Sequence, residues 1–485
     1  MKERPAIGSF KGVNEMPVLA AVAVPHPPLI IPEVGRGEEK RIQHTINAYQ
    51  QAMRFLARFK PGTVVLTTPH TVMYADYFHI SPGKSACGDL SRFNAPQAKV
   101  EIPYDEDFVH QLESYCQEHH MHAGTLGERD PSLDHATVVP LLFLEDYLND
   151  FELVRVGLSG LSIADHYRLG EAISAVADKT GKRVVMIASG DLSHKLTAEG
   201  PYGFSPEGPK FDKELMECFE DADFLRMMTI KPEVCESAAE CGHRSFVIMA
   251  GAFDRRKVDS HVLSYEGPFG VGYGVATFEG EGPDPARDFL DKLEAIEDKE
   301  YHERLGKEDP YVKLARLSVE TFVKTGQYAP LPNNLPADMI DKRAGVFVSL
   351  HEHGRLRGCI GTTEPTQANI ALEIIANGVS ACSRDPRFPP VQPEELKYLV
   401  YKVDVLEPAE KISSEDELDP KVYGVIVEKG SRRGLLLPDL EGVDSVAQQV
   451  SIAKQKAGIA ENESVQLYRF KVVRHSLYEP RTSSL

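Results

Sequence analysis

Three histidines stand just past short apolar runs: LAAVAVPH ends on His26, TVVLTTPH ends on His70, and RVVMIASGDLSH carries His194 a few residues beyond its run. Imidazole is the commonest metal ligand and the side chain that titrates nearest neutral pH. A single histidine after a strand is an ordinary loop residue. Three in matching positions are not, because open α/β sheets bind ligands beyond the carboxyl ends of their strands. If the three runs are parallel neighbours, their imidazoles converge on one rim. Proline precedes His26 and His70, fixing φ and stiffening the turn that would carry a ligand. Two histidines and a carboxylate on one face of a metal leave open positions for substrate and oxygen, the arrangement of non-haem Fe(II) oxygenases. Glu240 in SAAECGHRS, Asp191 and Asp134 are the acids near such a rim, and spacing alone does not choose among them. An acid at a helix start is also explained by the helix dipole.

The elements that must position these residues follow from periodicity. Val18–Val24, Val64–Thr68, Leu153–Leu158 and Val184–Ala188 read as strands, and Glu38–Phe59 as a helix with Ile42, Ile46, Tyr49, Met53 and Leu56 on one face. Ser245–Phe253 reads as a buried helix. Short apolar runs alternating with longer helical patterns predict an α/β sheet covered on both faces. EGEGPDPARD, from Glu279 to Asp288, has the composition of a boundary. The chain therefore divides into a first domain over residues 1–280, a connecting segment with a helix over 281–308, and a smaller domain over 309–485. In the latter, Tyr311–Thr325 reads as an amphipathic helix and Gly345–Leu350 as a strand.

A length of 485 residues exceeds what one core supports. Apolar residues at 42% and charged residues at 26% are ordinary globular values. The net charge of −19 argues against nucleic acid as a partner, since phosphate-backbone affinity comes from Lys and Arg clusters. The opening MKERPAIGSFKGVNEM lacks the apolar core of a signal peptide, and no stretch has the length of a membrane span. These features predict a cytoplasmic protein with no membrane partner. Seven cysteines, odd in number and without a CxxC pair, predict reduced thiols.

The words VPHPPLI, TTPHT, LDHATVVPL, ASGDLSHKL, ECGHRSFVIMAGA and SYEGPFGVGYGVATF, in that order over about residues 16–278, resemble the class III extradiol dioxygenases of the LigB type and their Memo relatives. The resemblance implies that His26, His70 and Glu240 hold Fe(II), that His194 is the acid/base, and that His135 contacts substrate or bound oxygen. The implied reaction is cleavage of a catechol-like ring with O2. In the Memo relatives the carboxylate position is replaced and a neighbouring cysteine approaches the site, and here Cys241 directly follows Glu240. With Cys241 turned inward, the site would suit a thiolate-tolerant metal such as zinc or copper. Two histidines, a glutamate and a bound water would also suit a zinc hydrolase.

From about Tyr311 onward, AGVFVSL, LRGCIGTTEP, SRDPRFPPV, EELKYLVYKVDVLEP, GVIVEKGSRRGLLLPDL and QKAGI resemble the AMMECR-type domain, which implies an α+β fold for residues 309–485. Residue chemistry points to Arg355, Arg357, Cys359 and the Gly358/Gly361 pair, where glycine permits close approach and arginines would lower a thiol pKa. The alternative is a structural turn with Cys359 buried and the arginines solvated or paired with Glu364 and Asp385. Relatives of both domains accompany a radical SAM protein in a three-part bacterial system, which implies such a partner and a role as a metal-binding or assembly component. Radical SAM enzymes are oxygen-sensitive, which weighs against plain aromatic catabolism.

Overall fold

The computed structural model describes residues 17–352, 354–440 and 442–477; the opening segment read for a signal peptide lies outside them. The chain divides into two compact units between Ile296 and Glu297.

The first unit is built on a six-stranded sheet. Its strands are β1 (Val18–Val24), β2 (Thr63–Thr68), β3 (Glu152–Gly157), β4 (Val184–Ser189), β5 (Arg256–Glu266) and β6 (Tyr273–Pro283). They lie in the order β3-β2-β4-β1-β6-β5. β3, β2, β4 and β1 are mutually parallel, and β6 and β5 complete the sheet antiparallel. Side chains alternate across the sheet, so β1 sends Ala21 and Ala23 into one core and Ala20, Val22 and Val24 into the other. Both faces are covered, which is why β1, β2 and β4 read as unbroken apolar runs. One face packs against Ile163–Thr180 and His243–Ala252; the other packs against Gln43–Ala57 and His135–Glu145. The helix expected from Glu38 begins instead as a 3-10 turn over Glu38–Ile42, after Gly37 at φ 109, and becomes α-helical at Gln43.

Helix Phe289–Lys307 lies where the sequence suggests a connecting segment. Phe289, Leu290 and Leu293 enter the first unit's core. In the second unit, Tyr301 donates to Glu320, and Glu297 accepts from Lys397 and Tyr398. That unit has two four-stranded antiparallel sheets. One contains Val346–Glu352, Arg355–Gly361, Leu399–Leu406 and Val472–Ser476, with helices Pro310–Thr325 and Ile370–Ser383 sharing its core. The other carries helix Val446–Lys456 over its own smaller core. Among the described residues no helix is long and apolar enough to cross a membrane.

Candidate metal centre

The three strands that end in histidine are adjacent and parallel, β2 beside β4 beside β1. Their carboxyl ends therefore deliver His70, Asp191 with His194, and His26 to one rim. Helix His135–Glu145 adds His135 at its first turn. Its cap is Asp134, whose Oδ1 accepts from the Thr137 amide at 3.1 Å and from Thr68 Oγ1 at 2.8 Å. One carboxylate thus starts the helix and ties it to the end of β2. The imidazoles of His70 and His135 stack with centroids 4.5 Å apart, and His26 meets His70 edge-on at 4.9 Å.

His26 is 2% exposed and held from three sides. Tyr49 donates to the Pro25 carbonyl at 2.9 Å, and Asp191 Oδ1 accepts the His26 amide at 2.8 Å. The third contact decides the tautomer. Ser189 Oγ donates its only proton to the Ala136 carbonyl at 2.7 Å, so at 3.0 Å from His26 Nδ1 it must accept. Nδ1 carries the hydrogen, and the Nε2 lone pair is left facing the rim. It lies 3.1 Å from His70 Nε2 and 3.6 Å from Cys241 Sγ. Around an ion with metal–nitrogen bonds of roughly 2.0–2.1 Å and a metal–sulfur bond of about 2.3 Å, tetrahedral angles separate two nitrogens by about 3.3 Å and nitrogen from sulfur by about 3.6 Å. The donor atoms therefore have the spacing of ligands to one metal. An acceptor behind the other ring nitrogen of a ligating histidine is the usual second support of such sites, and here a serine hydroxyl fills that place.

Cys241 reaches the rim because two loops pass at backbone contact. A Cβ on Gly190 would fall 2.1 Å from Gly242 Cα, so only glycine fits there. The Asp191 amide donates to Cys241 Sγ at 3.4 Å. Asp191 Oδ2 lies between two imidazoles, 4.0 Å from His26 Nε2 and 3.9 Å from His194 Nε2. His194 stacks on Tyr202, and its buried Nε2 has no hydrogen-bond partner among the described residues.

The structure differs from the expectation for Glu240. Among the described residues, the ligating atoms that group with His26 and His70 are completed by Cys241, while Glu240 groups with Cys235 and His243. The helix starts at His243 rather than at Glu240, and Glu240 Oε2 caps it by accepting the His243 amide at 2.7 Å. The capping preference of an acid prevails there. The carboxylate at the rim is Asp191, which spacing had left open.

Burial sets the protonation of the rim groups. Burial pushes His135 and His194 down to about 4, with His70 adding repulsion, and holds His26 well below its ordinary value. Burial likewise pushes Asp191 up to about 7 and the Cys241 thiol well above its usual range. Near neutral pH, neutral imidazoles face a protonated thiol and a carboxyl group that is only partly ionised. A divalent ion would reverse the acid and thiol shifts and use the lone pairs.

Sequence reasoning missed Ser189 as the group that fixes His26, although it lies inside the word ASGDLSH. Phe93, edge-on to His135 at 5.3 Å, and Tyr202 had no signal, since single aromatics in loops are common.

In the second unit Cys359 lies on strand Arg355–Gly361, and its surroundings favour the structural alternative over a reactive thiol. Burial raises its pKa, outweighing the arginine nearby. Ser349 Oγ donates to its sulfur at 3.1 Å. Arg357 pairs with Glu395 at 2.6 and 3.0 Å, not with Glu364 or Asp385. Glu364 pairs with Arg433, and Asp385 with Arg387.

A doubly wound sheet with a histidine-lined carboxyl rim defines the class of protein. Residues 20–276 match the family described as the catalytic LigB subunit of aromatic ring-opening dioxygenase, and residues 312–475 match AMMECR1. The chain belongs to the LigB family and fuses that unit to an AMMECR1 domain. It is 39% identical over 469 residues to a Clostridium acetobutylicum protein, covering 93% of this chain and 98% of that one. A Thermotoga maritima protein is 53% identical over 170 residues, 35% of this chain and 98% of that one. A crystal structure of an uncharacterised Pyrococcus horikoshii protein, 32% identical, covers 34% of this chain and 88% of that one at a TM-score of 0.32.

Proposed function

We propose that the LigB unit is a mononuclear metal protein holding its ion on His26, His70 and Cys241, and that it opens a catechol-like ring with O2 on Fe(II). The observation that carries the metal reading is the His26 tautomer, fixed by Ser189 and Ala136, which aims Nε2 at the His70 and Cys241 donors. When bound, the metal would lower the pKa of a coordinated phenol and bring it next to oxygen. The surrounding residues have their own tasks. His194, with its unpartnered Nε2, takes and returns a proton at the second hydroxyl. His135 offers a hydrogen bond to developing negative charge. Asp191 holds the His26 amide, and Phe93 and Tyr202 flank the rim with aromatic faces.

A second reading is favoured by the thiol itself. Sulfur in place of a carboxylate selects a softer ion such as copper or zinc, as suits a metal-binding or assembly component serving a radical SAM partner. One experiment separates the two. Full-length protein purified without oxygen is analysed for metal, then given a panel of catechols while oxygen uptake and ring-cleavage chromophores are followed. Iron with turnover supports ring opening. Copper or zinc without turnover overturns that reaction and leaves the metal centre standing.

A further inference from the structure

Glu240, displaced from the first centre, has other company. Its carboxylate, Cys235 Sγ and His243 Nδ1 lie with their ligating atoms all within 4.8 Å of one another. Cys235 belongs to the short helix Pro232–Ala238, which ends at Ala239 in the left-handed region at φ 54. That turn brings Glu240 to the start of the next helix. The His243 ring is 3% exposed, and its Nε2 donates to the Met227 carbonyl at 2.8 Å. A carbonyl only accepts, so Nε2 carries the hydrogen and the Nδ1 lone pair points toward Cys235 Sγ, 3.7 Å away. This repeats the logic of His26: one ring nitrogen is fixed from behind and the other is aimed at sulfur. Sulfur and nitrogen again stand near the roughly 3.6 Å expected for two ligands of one tetrahedral ion.

We propose that Cys235, Glu240 and His243 form a second metal site, distinct from the first, that binds a divalent ion of the zinc class through sulfur, oxygen and nitrogen. Binding releases the Cys235 proton to solvent and leaves a fourth position for water. The site does not depend on the chemistry of the first centre. Because Glu240 and Cys241 are consecutive, filling it would also fix the backbone that presents Cys241.

The test uses the full chain carrying His26→Ala and Cys241→Ser, which removes the first centre. Stripped of metal and titrated with Co²⁺, this variant should still take about one equivalent and show a thiolate charge-transfer band. Adding Cys235→Ser should abolish the band. Glu240→Gln keeps an acceptor for the His243 amide, so a purely capping role predicts unchanged affinity, whereas a ligand role predicts a loss of roughly tenfold or more. Absence of the thiolate band in the first-centre variant, or a Glu240→Gln affinity equal to its parent, overturns the second site. Loss of the first centre's metal is read separately, in the Cys235→Ser protein.

Discussion

Cys241 and Cys359 invite comparison. Cys241 lies in a bend before a helix and Cys359 on strand Arg355–Gly361, each beside glycine and charged or titratable side chains, and burial raises both thiol pKa values. Their surroundings differ in one physical respect. Around Cys359 every charge named has a partner of opposite sign: Arg387 on Asp385, Arg357 on Glu395, with the Cys359 amide donating to Asp385 at 2.9 Å. Around Cys241 the groups are neutral lone pairs and suppressed acids that face one another. A cluster whose charges cancel internally is complete as a structural device. A cluster of lone-pair donors that face one another has the composition of an ion site.

The sharpest break in this comparison is removal of a donor. His26→Ala, His70→Ala and Cys241→Ser should each eliminate stoichiometric metal at the rim, whereas Cys359→Ser should leave it untouched, as read by elemental analysis of dialysed protein in a Cys235→Ser background that lacks the second site. Full occupancy in the Cys241→Ser chain would transfer the third position to Asp191. His194→Ala addresses chemistry rather than binding. It should keep the metal and lower any turnover by about 10²–10⁴-fold, the usual contribution of a positioned acid/base.

Gly190→Ala removes no ligand yet should act on the centre. The added Cβ meets Gly242 Cα at 2.1 Å, backbone against backbone, so the loop bearing Cys241 must move. A cost of about 1–3 kcal/mol is expected for such overpacking, together with weakened metal binding. Urea unfolding alongside a metal titration checks both. A stable variant with native affinity would show that the loop contact does not position the thiol.

How much of this was legible beforehand follows from the kind of signal each residue carries. The strands were readable because burial on both faces leaves continuous apolar runs, and a strand end is a local event, so His26, His70 and His194 could be nominated together. Whether β1, β2 and β4 were neighbours is a long-range fact that periodicity does not encode. Glu240 lies off the rim for a local reason: Ala239 turns left-handed and the helix starts at His243, so the Glu240 carboxylate caps that helix while the next residue faces the rim. One residue of register separates the two outcomes. The Arg357–Glu395 pair spans 38 residues, and among many acids nothing in the spacing favours Glu395 over Glu364.

The smallest effect is a difference in pH response between the two regions. In the metal-free chain, His135 and His194 titrate at about 4 when folded and near 6.5 when unfolded. The unfolded chain therefore binds more protons between those values, and the stability these groups contribute is present above about 6.5 and lost as pH falls toward 4. Asp385 behaves otherwise. Its hydrogen bonds with Arg387, together with the Cys359 amide, hold it far below the usual carboxylate range. Its contribution is intact above the unfolded value near 4 and disappears only at more acidic pH. Amide hydrogen exchange at pH 7, 5 and 4 should show the LigB rim loosening first, with the strand around Cys359 protected until the lowest pH. Metal should oppose the loosening at pH 7 and lose that effect on acidification, because protons compete for the same lone pairs. Equal loss of protection in both regions at pH 5 would mean that the imidazole cluster is not the acid-sensitive element.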